Sequence, residues 1–268
     1  MFPFDTAGVD SLADLFIRQD NASLRNWQEA RPEFELTERG LILGWAITLW
    51  LNEDPILPQR KAKAPEVSDP ETICINLLHA AWSGLVNATR LALYGAHVDA
   101  LNLIRSAFEA TFHAEYFRDH PSNAIEWGKA GQITDLDARR VFISRFERKK
   151  QIRQSVEKKY LPDRSLSRGY HELSTFGTHI NPITTFLRLS SNIQGIANLG
   201  FMSVGKSEAT RLCAIRILHI LRYALSEYHD GFTEYLSQNS DLKEACIQFL
   251  TDADVLLTVA PQELSLLR

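Results

Sequence analysis

The chain has 268 residues, of which 45% are hydrophobic and 23% are charged, and its formal net charge is −4. These values are ordinary for a globular protein and exclude wholesale disorder, and a chain of this length buries about three quarters of its unfolded surface. Its three cysteines lie far apart in apolar helical contexts, which predicts no disulfide framework and indicates a reducing, cytoplasmic setting.

Apolar residues recur along most of the chain with a period of about 3.6 residues, which predicts a mainly α fold. We expect one helical bundle across residues 1–268. Two β-rich runs within residues 183–203 add a small β-hairpin. The predicted helices, in chain order, span residues 11–28, 38–51, 70–94, 96–119, 121–130, 135–160, 166–178, 207–237 and 241–257.

A loop or short linker is predicted at residues 52–68, which contain three prolines and no apolar periodicity. It separates an N-terminal helical pair, residues 1–51, from a main bundle, residues 69–268. The main bundle starts at Asp69-Pro70-Glu71. A carboxylate cap, a proline at the first helical position and an acid in the first turn all favour a helix N-terminus there.

Two very apolar helices, residues 70–94 and 96–119, are predicted to form a central hairpin. The first is long enough to cross a bilayer, but a polar stripe runs along it at steps of three and four. Because a lipid-facing helix would not carry such a stripe, we expect no membrane partner. The stripe also suits a small ligand enclosed in the bundle core. Its members are Asn76, His79, Ser83, Asn87 and Arg90.

The second central helix carries Arg105, Glu109 and His113 at steps of four within an apolar sequence. We expect these side chains to fan across one side of the helix, half-buried and in need of partners. Two interpretations stay open. Arg105 and Glu109 form a structural ion pair that fixes helix register, or they act as a general acid and base or anchor an anionic group.

The stretch YHELSTFGTHINP, residues 170–182, has helical spacing and stops at Asn-Pro. Its polar residues include His171, Ser174, Thr178 and His179. A histidine can act as a general acid or base near neutral pH, and Ser174 or Thr178 can bind a ligand. The alternative is a well-capped helix end, because His179 in the last turn also suits the exposed carbonyl groups there.

Positive charge is concentrated between Arg139 and Arg168, where eleven basic residues stand against three acids. An excess of eight positive charges in a chain of net −4 can hold a polyanion, so RNA is a candidate partner and Arg168 a candidate ligand-binding residue. The alternative is a solvated helix face with intrahelical pairs, since few aromatic residues are interleaved for base stacking.

Motifs for metals and cofactors are missing from the sequence. A di-metal helical bundle needs Glu-x-x-His on two helices, and neither this pattern nor HExxH occurs. The glycine-rich phosphate and dinucleotide motifs and the GxSxG elbow do not occur either. We therefore expect neither a metal nor a cofactor.

The stretch ALNLIRSAFEATFHAEYFRDHP, followed much later by YHELSTFGTHINP, resembles a group of uncharacterised bacterial helical proteins. These share an LRSxFE helix and a later element in which a Tyr and a Leu-Ser pair precede a His. The resemblance covers roughly residues 75–235. It implies that Arg105, Glu109 and His179 are the marked polar positions, and it brings no established activity.

A looser resemblance is to the HEPN superfamily of helical domains, many of them RNA-cleaving members of toxin and defence systems. Their motif is an Arg, a polar residue and a His after four to six intervening positions. Here Arg164 precedes His171 by six intervening residues, with Ser165 at the polar position. The resemblance implies metal-independent cleavage, in which a histidine deprotonates the ribose 2′-OH and an arginine stabilises the charge developing on phosphorus.

Two functions follow as hypotheses. The leading one is a cytoplasmic binding or interaction module with a polar pocket around Arg105, Glu109, His171 and His179, in which a homodimer is reasonable. The rival is a HEPN-like ribonuclease or defence component, which requires an arginine and a histidine in contact inside an exposed basic cleft.

Overall fold

The computed structural model describes residues 23–28, 30–53, 69–152, 154, 189–193, 196–199 and 207–259. Over these residues the fold is mainly α and forms a helical bundle, as the sequence predicts. Residues 23–28 are helical, and Lys129–Gln132 form a 3₁₀ turn. The other elements are α1 (Arg31–Glu53), α2 (Pro70–Leu93), α3 (His97–Asp119), α4 (Pro121–Gly128), α5 (Leu136–Lys150), β1 (Leu189–Ile193), β2 (Ile196–Leu199), α6 (Ser207–Gly231), α7 (Thr233–Leu236) and α8 (Ser240–Val259).

Helices α2 and α3 form the central hairpin that the sequence predicts. Helix α2 ends at Gly95, whose φ of 80° favours glycine, and the N–H groups of Gly95 and Ala96 bond to carbonyls of the last turn of α2 at 3.0 and 2.8 Å. The helices then pack closely at small residues, since a Cβ placed on Gly84 would lie 3.5 Å from the Cβ of Ala107. This connection brings the start of α2 beside the end of α3.

Helix α6 connects the bundle, because it packs on α1, α2, α3 and α8. Its buried residues cover much of its surface and include Cys213, Ile217, Leu218, Leu221 and Leu225. Tyr228 is also buried, and its Oη lies 3.0 Å from Oγ1 of Thr48 on α1. A buried hydroxyl needs such a partner, so this contact holds α1 in register on α6.

Helix α1 approaches α6 and α8 most closely at Gly40. A Cβ added there would lie 2.5 Å from Cε2 of Phe249 and 2.6 Å from Cδ2 of Leu221. Beside it, Arg39 pairs with Asp252 of α8 at 2.9 Å. Packing, rather than backbone conformation, therefore requires glycine at position 40.

Helix α5 is shorter than the sequence predicts, since it ends at Lys150 rather than at residue 160. Gln151 adopts a left-handed conformation with a φ of 50°, and its N–H bonds to the carbonyls of Arg148 and Glu147. That geometry closes a helix C-terminus. The helix predicted at residues 166–178 lies outside the described residues.

Two other helix bounds differ from the predictions. Helix α1 begins at Arg31 rather than at residue 38, because Pro32 and Glu33 suit a first helical turn. The single helix predicted at 207–237 is α6 followed by the separate α7, and Phe232 between them has a φ of −125° and a ψ of 28°, outside the helical range.

The two strands lie within the region where the sequence predicts a small hairpin. They pair antiparallel, with Leu189 opposite Leu199 and Ser190 opposite Asn198. The register shifts before Ile193, which lies opposite Ile196.

Candidate functional site

Arg105 and Glu109 form an ion pair one turn apart on α3. Nε of Arg105 lies 3.0 Å from Oε1 of Glu109, and their side chains are 23% and 36% exposed. Nδ1 of His113 lies 2.7 Å from the carbonyl oxygen of Glu109 and donates to it, because a carbonyl only accepts. Nε2 of His113 faces Oε1 of Glu147 on α5 at 3.3 Å. The three residues therefore share one side of α3, as their spacing predicts.

The other sequence-predicted site residues lie outside the described residues. These are Arg168, His171, Ser174, Thr178 and His179. A meeting of these residues with Arg105 and Glu109 stays a prediction.

The polar stripe of α2 lies on the outer side of that helix. Asn76, Asn87 and Arg90 are exposed, and His79 and Ser83 are half-buried. None of them lines the cavity described next. No described helix combines the length and apolarity needed to span a bilayer.

A cavity of about 310 Å³ opens at one end of the bundle, which we call the end cavity. Helix α2 starts there, α3 ends, α4 starts and α6 ends, because the α2–α3 hairpin brings those ends together. Helix termini carry the polar residues and the core supplies the apolar ones, so the cavity has both. Its lining is Asp69, Pro70, Glu71, Cys74, Leu78, Ala114, Phe117, Arg118, Pro121, Glu227, Gly231 and Phe232.

Arg118 and Glu227 are the most buried charged pair of the cavity wall. Nη1 of Arg118 donates to Oε2 of Glu227, whose side chain is 6% exposed. Nε of Arg118 also lies 3.3 Å from Oδ1 of Asp119. Burial opposes the charged form of Arg118, but the carboxylates of Glu227, Asp119 and Glu115 outweigh it and raise the pKa of the guanidinium. Arg118 is a cation held by several carboxylates.

Two more carboxylates enter the cavity at the start of α2. Oδ2 of Asp69 accepts a hydrogen bond from Oγ1 of Thr72 at 3.1 Å, and Oε2 of Glu71 accepts one from Oη of Tyr235 at 3.1 Å. Both donors are neutral hydroxyls, so these bonds orient the carboxylates without cancelling their charge. Tyr235 belongs to α7, which therefore helps to position Glu71.

Cys74 brings a thiol to the cavity wall. Its Sγ donates to the carbonyl oxygen of Ala114 at 3.4 Å. Burial raises the pKa of this thiol to about 12, with Arg118 acting against the rise and the cavity carboxylates adding to it. The thiol is protonated at neutral pH and is a poor nucleophile.

Another buried carboxylate lies in the same part of the core. Glu115 on α3 is 1% exposed, and its Oε2 accepts a hydrogen bond from Oη of the buried Tyr223 on α6. It does not line the cavity, but it contributes to the raised pKa of Arg118. Within the described part of the chain, no group of three or more His, Cys, Asp or Glu side chains could hold a metal ion.

The described half of the basic segment is helix α5. Phe146 anchors it, being 4% exposed with its ring centroid 6.3 Å from that of Phe117, and Lys150 pairs with Glu126 at 3.0 Å. At the other end, Oδ1 of Asp135 accepts from the N–H of Ala138 at 2.7 Å and caps the helix.

Several cations of α5 point away from these anchors. Arg140, Arg145 and Lys149 are exposed and form no ion pair with any described residue. Arg148 is exposed too, and its Nε donates to the carbonyl oxygen of Ser144 at 3.1 Å. Helix α5 therefore presents an unneutralised positive surface.

Sequence reasoning did not identify the residues of the end cavity as a site. Arg118 and Glu227 lie 109 positions apart, and no spacing rule connects them. A usable signal was present, because a hairpin of α2 and α3 must place Asp69 and Glu71 near Arg118. Comparison with protein-family models, curated proteins and solved structures found no match to this chain.

Proposed function

We propose that this chain is a binding module and that the end cavity is a ligand site. The observation that carries the proposal is a cavity of about 310 Å³ in which a buried guanidinium–carboxylate pair meets apolar side chains. Ligand sites are mostly apolar concavities of about 300–1,000 Å³ with a few fixed polar groups. A volume at the lower limit of that range favours a small organic molecule.

A fragment screen by ligand-observed NMR tests this proposal. Ala114 lines the cavity and is 3% exposed, so Ala114→Leu reduces the free volume. We expect fragments that bind the wild type to lose at least about tenfold in affinity in this variant, which is about 1.4 kcal/mol. They should bind unchanged to Ala80→Leu, the same substitution at an exposed position of α2.

Circular dichroism first confirms that both variants fold, and Ala114→Val replaces Ala114→Leu if the larger side chain unfolds the protein. Fragments that bind the folded cavity variant as tightly as the wild type would contradict the proposal. A screen without any hit would contradict it as well.

A second proposed function is RNA binding and cleavage through the basic segment. It is supported by the exposed Arg140, Arg145 and Lys149 of α5, whose charges are available to phosphate groups. Together with the resemblance to the HEPN superfamily, it gives His179 the role of general base and Arg105 that of stabilising charge on phosphorus. The polar pocket around Arg105, with Glu109 and His171, belongs to this proposal rather than to the end cavity.

Cleavage of a mixed RNA pool in EDTA tests the second function. We expect activity in the wild type and its loss in folded His179→Ala and Arg105→Ala. RNA binding should weaken with salt, and removing one phosphate contact should lower the slope of log affinity against log salt by about 0.7 for single strands. A wild type that neither binds nor cleaves RNA would eliminate this function.

We also infer a homodimer, supported by an exposed apolar row on α1. Ile42, Trp45 and Leu49 are 62%, 44% and 39% exposed and follow one side of the helix. Light scattering after size exclusion should give twice the chain mass of 30.4 kDa, and a single chain mass for Trp45→Glu. A wild type with the mass of one chain would contradict the inference.

A reducing, cytoplasmic setting is likewise a proposal, supported by the state of the cysteines. Cys74, Cys213 and Cys246 are all free and buried. Fractionation of the source cells tests the location, and recovery outside the cytoplasm would contradict it.

A further inference from the structure

The charges of the end cavity indicate which ligands it takes, an inference that rests on the proposed binding role of the cavity. Its described lining holds three carboxylates, those of Asp69, Glu71 and Glu227, and one cation, Arg118. Apolar walls strengthen the field of such groups, and a cleft lined mainly by one sign of charge concentrates the opposite sign. The lining therefore favours a cation.

The geometry of Arg118 opposes an anionic ligand. Its Nη1 donates to Glu227 and its Nε faces Asp119 at 3.3 Å. An anion would have to displace Glu227 from the guanidinium and leave a carboxylate that is 6% exposed without this partner, which is strongly unfavourable. The carboxylates of Asp69 and Glu71 would repel the same anion.

The apolar part of the lining indicates an organic body on the ligand. Leu78, Phe117 and Phe232 are 1%, 0% and 4% exposed and form continuous hydrocarbon and aromatic surface with Pro70 and Pro121. A metal ion would leave this surface without contacts, and no described group of side chains has a metal-ligating composition. Aromatic faces also attract an organic cation.

We propose that the end cavity binds a small organic ammonium ion, with its charged group at the carboxylates of Asp69 and Glu71 and its apolar body against Leu78 and Phe117. The Arg118–Glu227 pair is the fixed, internally balanced part of the site. Ammonium N–H groups donate to the carboxylate oxygens, which only accept.

Isothermal titration with three probes tests the ligand class. Benzylammonium, benzyl alcohol and benzoate share an aromatic ring and differ in charge. We expect benzylammonium to bind at least about tenfold more tightly than the other two. Its affinity should fall about tenfold in Glu71→Gln, whose amide can still accept from Tyr235, and stay unchanged in Glu35→Gln, an exposed glutamate of α1 outside the cavity.

The outcomes separate the two levels of the proposal. Tightest binding of benzoate, or equal binding of all three probes, would overturn the ammonium class and leave the cavity as a ligand site if Ala114→Leu abolishes that binding. Probe binding that Ala114→Leu does not change would overturn the site as well. Asp69→Asn serves as the second charge variant if Glu71→Gln fails to fold by circular dichroism, and an unchanged benzylammonium affinity in a folded charge variant would overturn the ammonium assignment.

Discussion

Nη1 of Arg118 donates to Oε2 of Glu227 and thereby joins the end of α3 to the end of α6 at the wall of the end cavity. The arginine side chain is 28% exposed, whereas that of the glutamate is 6% exposed. A buried carboxylate is costly without a partner, so the pair lets a charged group remain inside the bundle. The same pair gives the cavity its polar character.

Removing the arginine alone should destabilise the fold. Arg118→Leu leaves Glu227 buried without the guanidinium, and breaking such a pair costs about 3 kcal/mol. The double variant Arg118→Leu/Glu227→Leu should recover most of this loss, because no uncompensated charge remains. Urea denaturation measures the free energy of unfolding of each variant.

The exposed pair of Arg31 and Glu35 provides the control for that cycle. Its atoms lie 2.7 Å apart, but the side chains are 63% and 48% exposed. Arg31→Leu should therefore change stability by less than about 1 kcal/mol. If Arg118→Leu costs no more than Arg31→Leu, the Arg118–Glu227 pair does not stabilise the bundle as described.

Adding a methyl group at Gly40 should destabilise the contact of α1 with α6 and α8. The new Cβ would lie 2.5 Å from Phe249 and 2.6 Å from Leu221, and overpacking of this kind costs about 1–3 kcal/mol. Gly131→Ala is the control, because a Cβ there meets nothing within 4 Å. Equal urea midpoints for the two variants would show that the core around Gly40 yields without cost.

Alkaline pH should destabilise the protein through its buried thiols. Burial raises the pKa of Cys213 from 9.0 to about 12, so in this window the unfolded chain ionises while the folded one does not. The resulting stabilisation is complete below pH 9 and is lost as pH rises toward 12. Cys213→Ala should lose less stability across that window than the wild type, by urea denaturation at several pH values. Identical pH slopes would rule out this role for the thiol.

The indole of Trp82 should contribute through one specific hydrogen bond. Its Nε1 donates to the carbonyl oxygen of Leu41 at 2.7 Å and joins α2 to α1. Trp82→Phe should cost at least about 1 kcal/mol, because the carbonyl loses its partner. Trp127→Phe removes an indole N–H that has no hydrogen-bond partner among the described residues, and it should cost less. The reverse order in thermal unfolding would contradict this assignment.

Much of the fold was predictable because its signals are local. The start of α2 follows from Asp69 and Pro70, and the α2–α3 hairpin follows from two apolar runs separated by Gly95. The end of α5 was not predictable in this way. Gln151 adopts a positive φ there, and glutamine carries no preference for that conformation.

The site was harder to predict because it depends on contacts between distant residues. Spacing placed Arg105 and Glu109 on one side of α3, and they do form a pair. The burial of Glu227 against Arg118 depends instead on how α6 packs on α3, which a local pattern does not encode. Only the topology of the hairpin pointed toward that end of the bundle.

Alanine methyl NMR of the wild type with benzylammonium tests most directly whether the end cavity is the ligand site. The methyl group of Ala114 lies in the cavity wall, whereas Ala80 is exposed on α2 and Ala253 is buried in α8. We expect the Ala114 signal to shift with a saturable titration curve while the signals of Ala80 and Ala253 stay in place. An unmoved Ala114 signal at concentrations where other methyl signals shift would place the ligand elsewhere and contradict the central proposal.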